Sequence, residues 1–268
     1  KVIDQFENLE DKDSGPKKLD IRQKCLSEIV NRDEVQKLAF VCTTGSSLPN
    51  KDLVMSAISC EQPLHFSWTS SLPVKDNSWS FHKTLFEQDS LIYVLALPLR
   101  ASDLLWLEQI PKDQPSWVMA DNQSSDWPEE LKQLKAQLPE RWNDRILHWN
   151  KSDQDLLKLL SPVRKLLKQP RKNIDITKQR LLSRLHASWQ ADLEQLRRKK
   201  FKVIQTRTQW AVAGAVFASP LPSTDLLALS VANGLMIKEM AKIWSCSWDN
   251  ESLQVIAKQL AGVAVAQG

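Results

Sequence analysis

The apolar positions of this chain change their period along its length. Residues 1–20 contain the polar run from Glu10 to Lys18 and read as a flexible arm. Ile21, Cys25, Ile29 and Val30 then recur at helical spacing, which predicts a leading helix over 21–36. From Lys37 onward, short apolar runs alternate with longer amphipathic stretches. Leu38–Cys42, Leu91–Leu97, Trp117–Ala120 and Arg145–Trp149 read as strands. Asp52–Cys60, Ser102–Gln109, Pro128–Leu138 and Ser152–Leu167 read as helices, with Ser102 placed as an N-cap and Pro128 at a first helical position. Strands alternating with helices of this length require crossover connections, hence a mostly parallel sheet covered on both faces.

After Pro170 only the helical period remains. Ile174, Thr177, Leu181, Leu182, Leu185, Trp189, Leu193 and Leu196 mark one long helix over 174–200. Residues 201–218 and 225–244 read as two further apolar helices. Between them Pro220 and Pro222 end the first, and Ser223 or Thr224 with Asp225 caps the second. A last helix begins near Asn250, and the chain stops inside an apolar pattern, which reads as a C-terminal truncation. The domain plan is therefore an arm (1–20), a leading helix (21–36), an α/β domain (37–169) and an all-α helical domain (170–268).

Charge sharpens this division. The net charge is −6 over residues 1–150, +11 over 151–207 and −1 over 208–268. A basic segment between an acidic domain and a nearly uncharged end calls for an acidic partner, such as an anionic lipid surface, an acidic protein or nucleic acid. Cys25, Cys42, Cys60 and Cys246 form no close pair, and His65, His82, His148 and His186 are equally scattered. Neither a disulfide framework nor a metal site is expected, and the thiols read as reduced and cytoplasmic.

Glycine usage bears most directly on chemistry. The chain has six, and none lies between Gly45 and Gly214. The loop after the first strand runs from Gly45 through Asn50 and Lys51 to Asp52. A phosphate loop needs Gly, four residues, then Gly, Lys and a hydroxyl, so that backbone N–H groups, an ammonium and a metal-binding oxygen close on the phosphates. Gly45 and Lys51 have that spacing, whereas Asn50 replaces the second Gly, Asp52 replaces the hydroxyl and Pro49 removes a donor.

On these residues, and on the order of strands and helices over 37–168, the α/β domain resembles small P-loop GTPase domains of the Era type. The resemblance implies a P-loop-GTPase-like mostly parallel sheet whose chemistry has decayed. The Asp-x-x-Gly sensor cannot exist without glycine, and the place of the guanine-reading Asn-Lys-x-Asp falls on Asp121-Asn122-Gln123-Ser124. No cofactor is expected, and GTP or GDP binding and hydrolysis are not. The alternative reading keeps a nucleotide-binding switch with residual phosphate binding at Gly45 and Lys51.

Thr206 to Asp225, followed by Leu229, Asn233, Met236-Ile237 and Met240-Ala241-Lys242-Ile243-Trp244, looks like the YcjF family, a domain of unknown function, over about 206–262. That resemblance brings no reaction with it. Trp210–Ala218 and Leu226–Ile237 are too short to span a bilayer singly, since about 20 apolar residues are needed. Two readings of this hairpin stay open: burial in a helical core, or docking to a leaflet or partner.

The basic run Arg197, Arg198, Lys199, Lys200 and Lys202 lies just before the hairpin, and Trp210 and Trp244 flank it. The candidate docking set is these residues with Pro220, Pro222 and Asp225. The functional expectation is a non-catalytic scaffold on the cytoplasmic face of a membrane, peripheral on the inner membrane, or on a partner protein, including as a subunit of a larger assembly. Nucleic acid is not expected, because no recognised nucleic-acid fold accompanies the charge.

Overall fold

The structure is a computed structural model that describes residues 2–9, 15–42, 46, 48–59, 63–70, 83–121, 126–218 and 222–246, with single positions 251, 255 and 259. Two compact units divide the chain: residues 26–184 form one, and residues 1–25 with 185–268 form the other.

The first unit is built on a five-stranded, wholly parallel sheet of β1 (Gln36–Cys42), β2 (Leu64–Ser70), β3 (Ser90–Ala96), β4 (Ser116–Asp121) and β5 (Ile146–Trp149), in the order β2-β1-β3-β4-β5. Alternate residues of each strand point to opposite faces, giving two cores. Ala39, Val41, Tyr93, Leu95, Val118 and Ala120 pack with Trp106, Leu107, Leu134 and Trp142 on one face. Leu38, Phe40, Ile92, Val94, Met119 and Leu147 pack with Val54, Ile58, Leu156, Val163 and Leu167 on the other. All four expected strands are present. β2 is additional: Leu64, Phe66 and Trp68 alternate with polar residues on an edge strand, a weaker signal than the continuous apolar run of β3.

Helix α3 (Lys51–Ile58) follows β1, short α4 (Lys83–Phe86) precedes β3, α5 (Ala101–Gln109) follows β3, and α6 (Trp127–Gln137) follows β4. The expected cap at Ser102 is replaced. Arg100 is the N-cap, and its backbone N–H donates to Asp103 Oδ2 at 3.1 Å. The helix expected over 152–167 is instead a 3-10 turn (Asp153–Asp155), α7 (Leu156–Leu159) and α8 (Ser161–Leu167), with Pro162 in the first turn of α8 breaking the run.

Downstream, α9 (Pro170–Ala218) is one continuous helix of 49 residues where two were expected, because no Pro or Gly separates residue 200 from 201. Its start belongs to the α/β unit rather than to the helical one. Gln36 Nε2 donates to the Leu167 carbonyl at 2.7 Å, and Asn173 Nδ2 to Gln36 Oε1 at 3.0 Å. Arg180 Nη2 donates to the Gln88 and Phe86 carbonyls. These buried bonds tie residues 170–184 to the amino ends of β1 and β3, so the division falls beyond residue 169.

The second unit contains α1 (Val2–Leu9), the first part of α2 (Gly15–Val30), the later part of α9 and α10 (Pro222–Ile243). The arm expected over 1–20 is helical at 2–9 and from 15 onward. Its sequence is polar on average, yet Phe6 and Leu9 are buried against Leu193 and Ile243, and Arg22 lies 3.4 Å over the Phe6 ring. Two apolar residues on one face are enough to dock a helix that mean hydropathy reads as loose. The leading helix is displaced accordingly, ending at Val30 rather than at residue 36. The helix expected near Asn250 lies mostly outside the described residues.

Candidate functional site

In an open parallel sheet, ligands seat outside the carboxyl ends of the strands where the strand order reverses. Here the reversal lies between β1 and β3. The loop following β1 is thus at the correct place for a phosphate loop, and its residues decide what it can accept.

Gly45 lies outside the described residues. The next part of the loop is folded back on the protein. Ser46 Oγ donates to the Val94 carbonyl on β3 at 3.2 Å and sits 2.8 Å from Cys42 Sγ, while Cys42 Sγ is 3.0 Å from the Ser46 carbonyl. Pro49 is buried and brings no N–H. Asn50 is the N-cap of α3, and its Oδ1 accepts the Asp52 N–H at 2.8 Å. An amide that could have met a phosphate oxygen is therefore already used by the chain itself. Lys51 and Asp52 are both exposed in the first turn, where the Asp52 carboxylate complements the helix dipole and opposes an incoming anion.

The neighbouring strand ends are closed in a similar way. The Asp121 side chain is 5% exposed and lies 3.3 Å from Lys151 Nζ, while Lys151 itself holds a φ of 64°. Asn150 Oδ1 accepts the Ser152 N–H at 2.9 Å, shaping the turn that carries Lys151. Residues 122–125 lie outside the described residues. Beside β3, burial pushes the Tyr93 hydroxyl and the Asp103 carboxyl above their ordinary ranges. The Arg100 N–H and the Tyr93 hydroxyl, which donates to Asp103 Oδ1 at 3.4 Å, partly offset the rise at Asp103. Asp103 is consumed by this capping arrangement. Among the described residues no group of three His, Cys, Asp or Glu side chains could hold a metal ion.

The second candidate set lies on α9 and α10, and the structure divides it. Arg197 is largely buried, with its guanidinium reaching Gln5 Oε1 at 3.4 Å and Glu194 at 3.9 Å. Arg198 pairs with Glu194 at 3.0 Å. Trp244 donates to Glu194 Oε2 at 3.2 Å and meets the Phe201 ring edge-on at 5.9 Å. The Arg198 bond, with smaller contributions from Trp244 and Arg197, holds the Glu194 carboxyl below its usual range. Arg197 and Trp244 thus serve the interior of the helical unit, whereas the Arg198 side chain is 77% exposed and pairs with Glu194 at the surface.

Lys199 and Lys202 are exposed and Lys200 is half-exposed. Trp210 is 76% exposed. Sequence reasoning missed the two residues that extend its surface, Val203 (70% exposed) and Phe217 (93% exposed). Their spacing of seven was the available signal, because residues 203, 210 and 217 fall on one helix face. Val231 and Leu235 on α10 are also exposed. Pro220 is outside the described residues, and Pro222 and Asp225 are placed only as the opening turn of α10. Among the described residues no helix is long and apolar enough to cross a membrane.

No curated protein and no solved structure matches the chain. Residues 180–268 match the family model described as a domain of unknown function (DUF697), so the match begins at Arg180 and takes in the later part of α9 and all of α10. The C-terminal third is thus similar to a domain of unknown function.

Proposed function

We propose that this protein is a non-catalytic scaffold with a degenerate GTPase-like α/β unit, and that its helical unit docks on an anionic membrane surface. The observation that carries the docking reading is the exposed stripe Val203, Trp210 and Phe217, with Lys199 and Lys202 exposed just before it on the same helix. Between Arg207 and Lys238 the only charged residue is Asp225. An uncharged aromatic surface bordered by cations matches a leaflet with anionic headgroups, where each Lys or Arg contributes roughly 1 kcal/mol and Trp settles at the interface.

The non-catalytic reading rests on Ser46 and Asn50, which occupy the loop with the chain's own hydrogen bonds, and on the lack of glycine between 45 and 214. The parallel order β2-β1-β3-β4-β5 supports a nucleotide-binding ancestry without restoring its chemistry. Flotation with vesicles of mixed zwitterionic and anionic lipid tests the docking. Wild type is expected to float with them, and the Lys199→Glu/Lys202→Glu variant to stay at the bottom. Flotation unaffected by the charge reversal would overturn the electrostatic part. Failure of wild type to float, together with specific capture of one protein, would replace the lipid by a protein partner.

A further inference from the structure

The amino end of the sheet, opposite the loop that follows β1, carries a cavity of about 460 Å³ between the connections that enter β4 and β5. Its walls combine Ile110, Pro111 and Pro139 with Lys112, Arg141 and Trp142, and Glu108 and Arg145 also reach it. Arg141 is anchored from behind, donating to the Ile110 carbonyl at 3.0 Å and to the Leu107 carbonyl. Its guanidinium lies 5.1 Å from the Trp142 ring.

Trp142 is 2% exposed, and its Nε1–H is buried without a hydrogen-bond partner. Three cations against one carboxylate, set between apolar walls, make a surface that receives an anion.

We propose that this cavity binds a carboxylate carried on an apolar body, its oxygens received by Arg145 and Lys112, with Arg141 as the fixed positive floor and Trp142 as part of the apolar wall. A planar monoanion suits the arrangement better than phosphate, because Glu108 in the lining opposes a second negative charge. Burial and the neighbouring Arg145 both disfavour the charged form of Arg141, so a bound anion also relieves that repulsion. The site shares no residue with the docking stripe and stands or falls independently of it.

The carboxylate can belong to a small organic acid or to an acidic side chain of a peptide, and the test separates the two. Titrations of 3-phenylpropionate, its uncharged amide, inorganic phosphate and N-acetyl-leucylglutamate are followed by the indole N–H resonances of the ¹⁵N-labelled protein. The two carboxylates are expected to shift the Trp142 indole resonance, since that residue lines the cavity, and the amide and phosphate to leave it in place. Both Lys112 and Arg145 are exposed, so Lys112→Glu/Arg145→Glu should fold, and it is expected to weaken binding by about tenfold or more. Tighter binding of the peptide identifies a protein segment as the source, and tighter binding of 3-phenylpropionate a free acid. An unmoved Trp142 resonance with every probe, equal response to the amide, or affinity unchanged in the charge-reversed variant would overturn the proposal.

Discussion

Truncating the exposed aromatic stripe separates docking from folding. Trp210 is 76% exposed and Phe217 93% exposed, so neither contributes much to the core of the helical unit. An aromatic side chain offers roughly 150–250 Å², and withdrawing three quarters of it from water at ~25 cal/mol per Å² is worth roughly 3–5 kcal/mol. Allowing for incomplete insertion and the contact Ala retains, Trp210→Ala should cost about 2–3 kcal/mol of docking, a loss of ~30- to 150-fold in vesicle partitioning. Phe217→Ala should cost a similar amount. Fold stability should change by no more than ~0.5 kcal/mol, as for other surface substitutions. Partitioning measured by co-sedimentation, with thermal unfolding of the same samples, gives both readouts. Unchanged partitioning would refute the surface, and a large fall in melting temperature would show that the stripe is part of a core.

Further substitutions probe the fold that holds these surfaces. Phe6 is fully buried, so Phe6→Ala should destabilise the helical unit by about 3–5 kcal/mol, measured by denaturant unfolding; an unaffected midpoint would return residues 2–9 to a loose arm. Arg32 donates to both oxygens of Asp89, at 2.8 and 2.6 Å, with side chains 7% and 0% exposed; Arg32→Ala leaves a buried charge unpaired and should cost about 3–5 kcal/mol by the same assay. Burial raises the Asp103 carboxyl, so the native state binds protons more tightly there than the unfolded chain does. Its contribution to stability therefore falls as pH rises from the ordinary carboxylate range through the raised value. Asp103→Asn keeps an acceptor for the Arg100 N–H and removes that step. Relative to wild type, its melting temperature should gain as pH rises above the ordinary carboxylate range, and a variant that loses ground there would contradict the assignment.

The sheet was legible in sequence where burial is two-sided. Leu91 to Leu97 can only be an interior strand, and β3 is there. Edge strand β2 was not read, because its alternation of Leu64, Phe66 and Trp68 with polar residues is short and half-buried. The amino-terminal helix was missed for a related reason: its apolar face is too small to stand out until Leu193 and Ile243, remote in sequence, are brought to it. At the loop, composition predicted the loss of glycine chemistry. The bond from Ser46 to Val94 depends on the pairing of β1 with β3, which no local pattern reveals. For the basic run the sequence supplied five cations of one kind. Only the positions of Gln5 and Glu194 distinguish Arg197, used internally, from exposed Arg198, Lys199 and Lys202. The cavity under β4 and β5 had no sequence signature, because its lining is drawn from two separate connections.

The central claim is docking without nucleotide control. Flotation of the wild-type protein on anionic vesicles, with and without millimolar GTP and Mg²⁺, tests it most directly. The account predicts the same floating fraction in both, since Ser46 bonds the Val94 carbonyl, Pro49 carries no N–H and Asn50 takes up the Asp52 amide. Flotation that appears or disappears with GTP would contradict it.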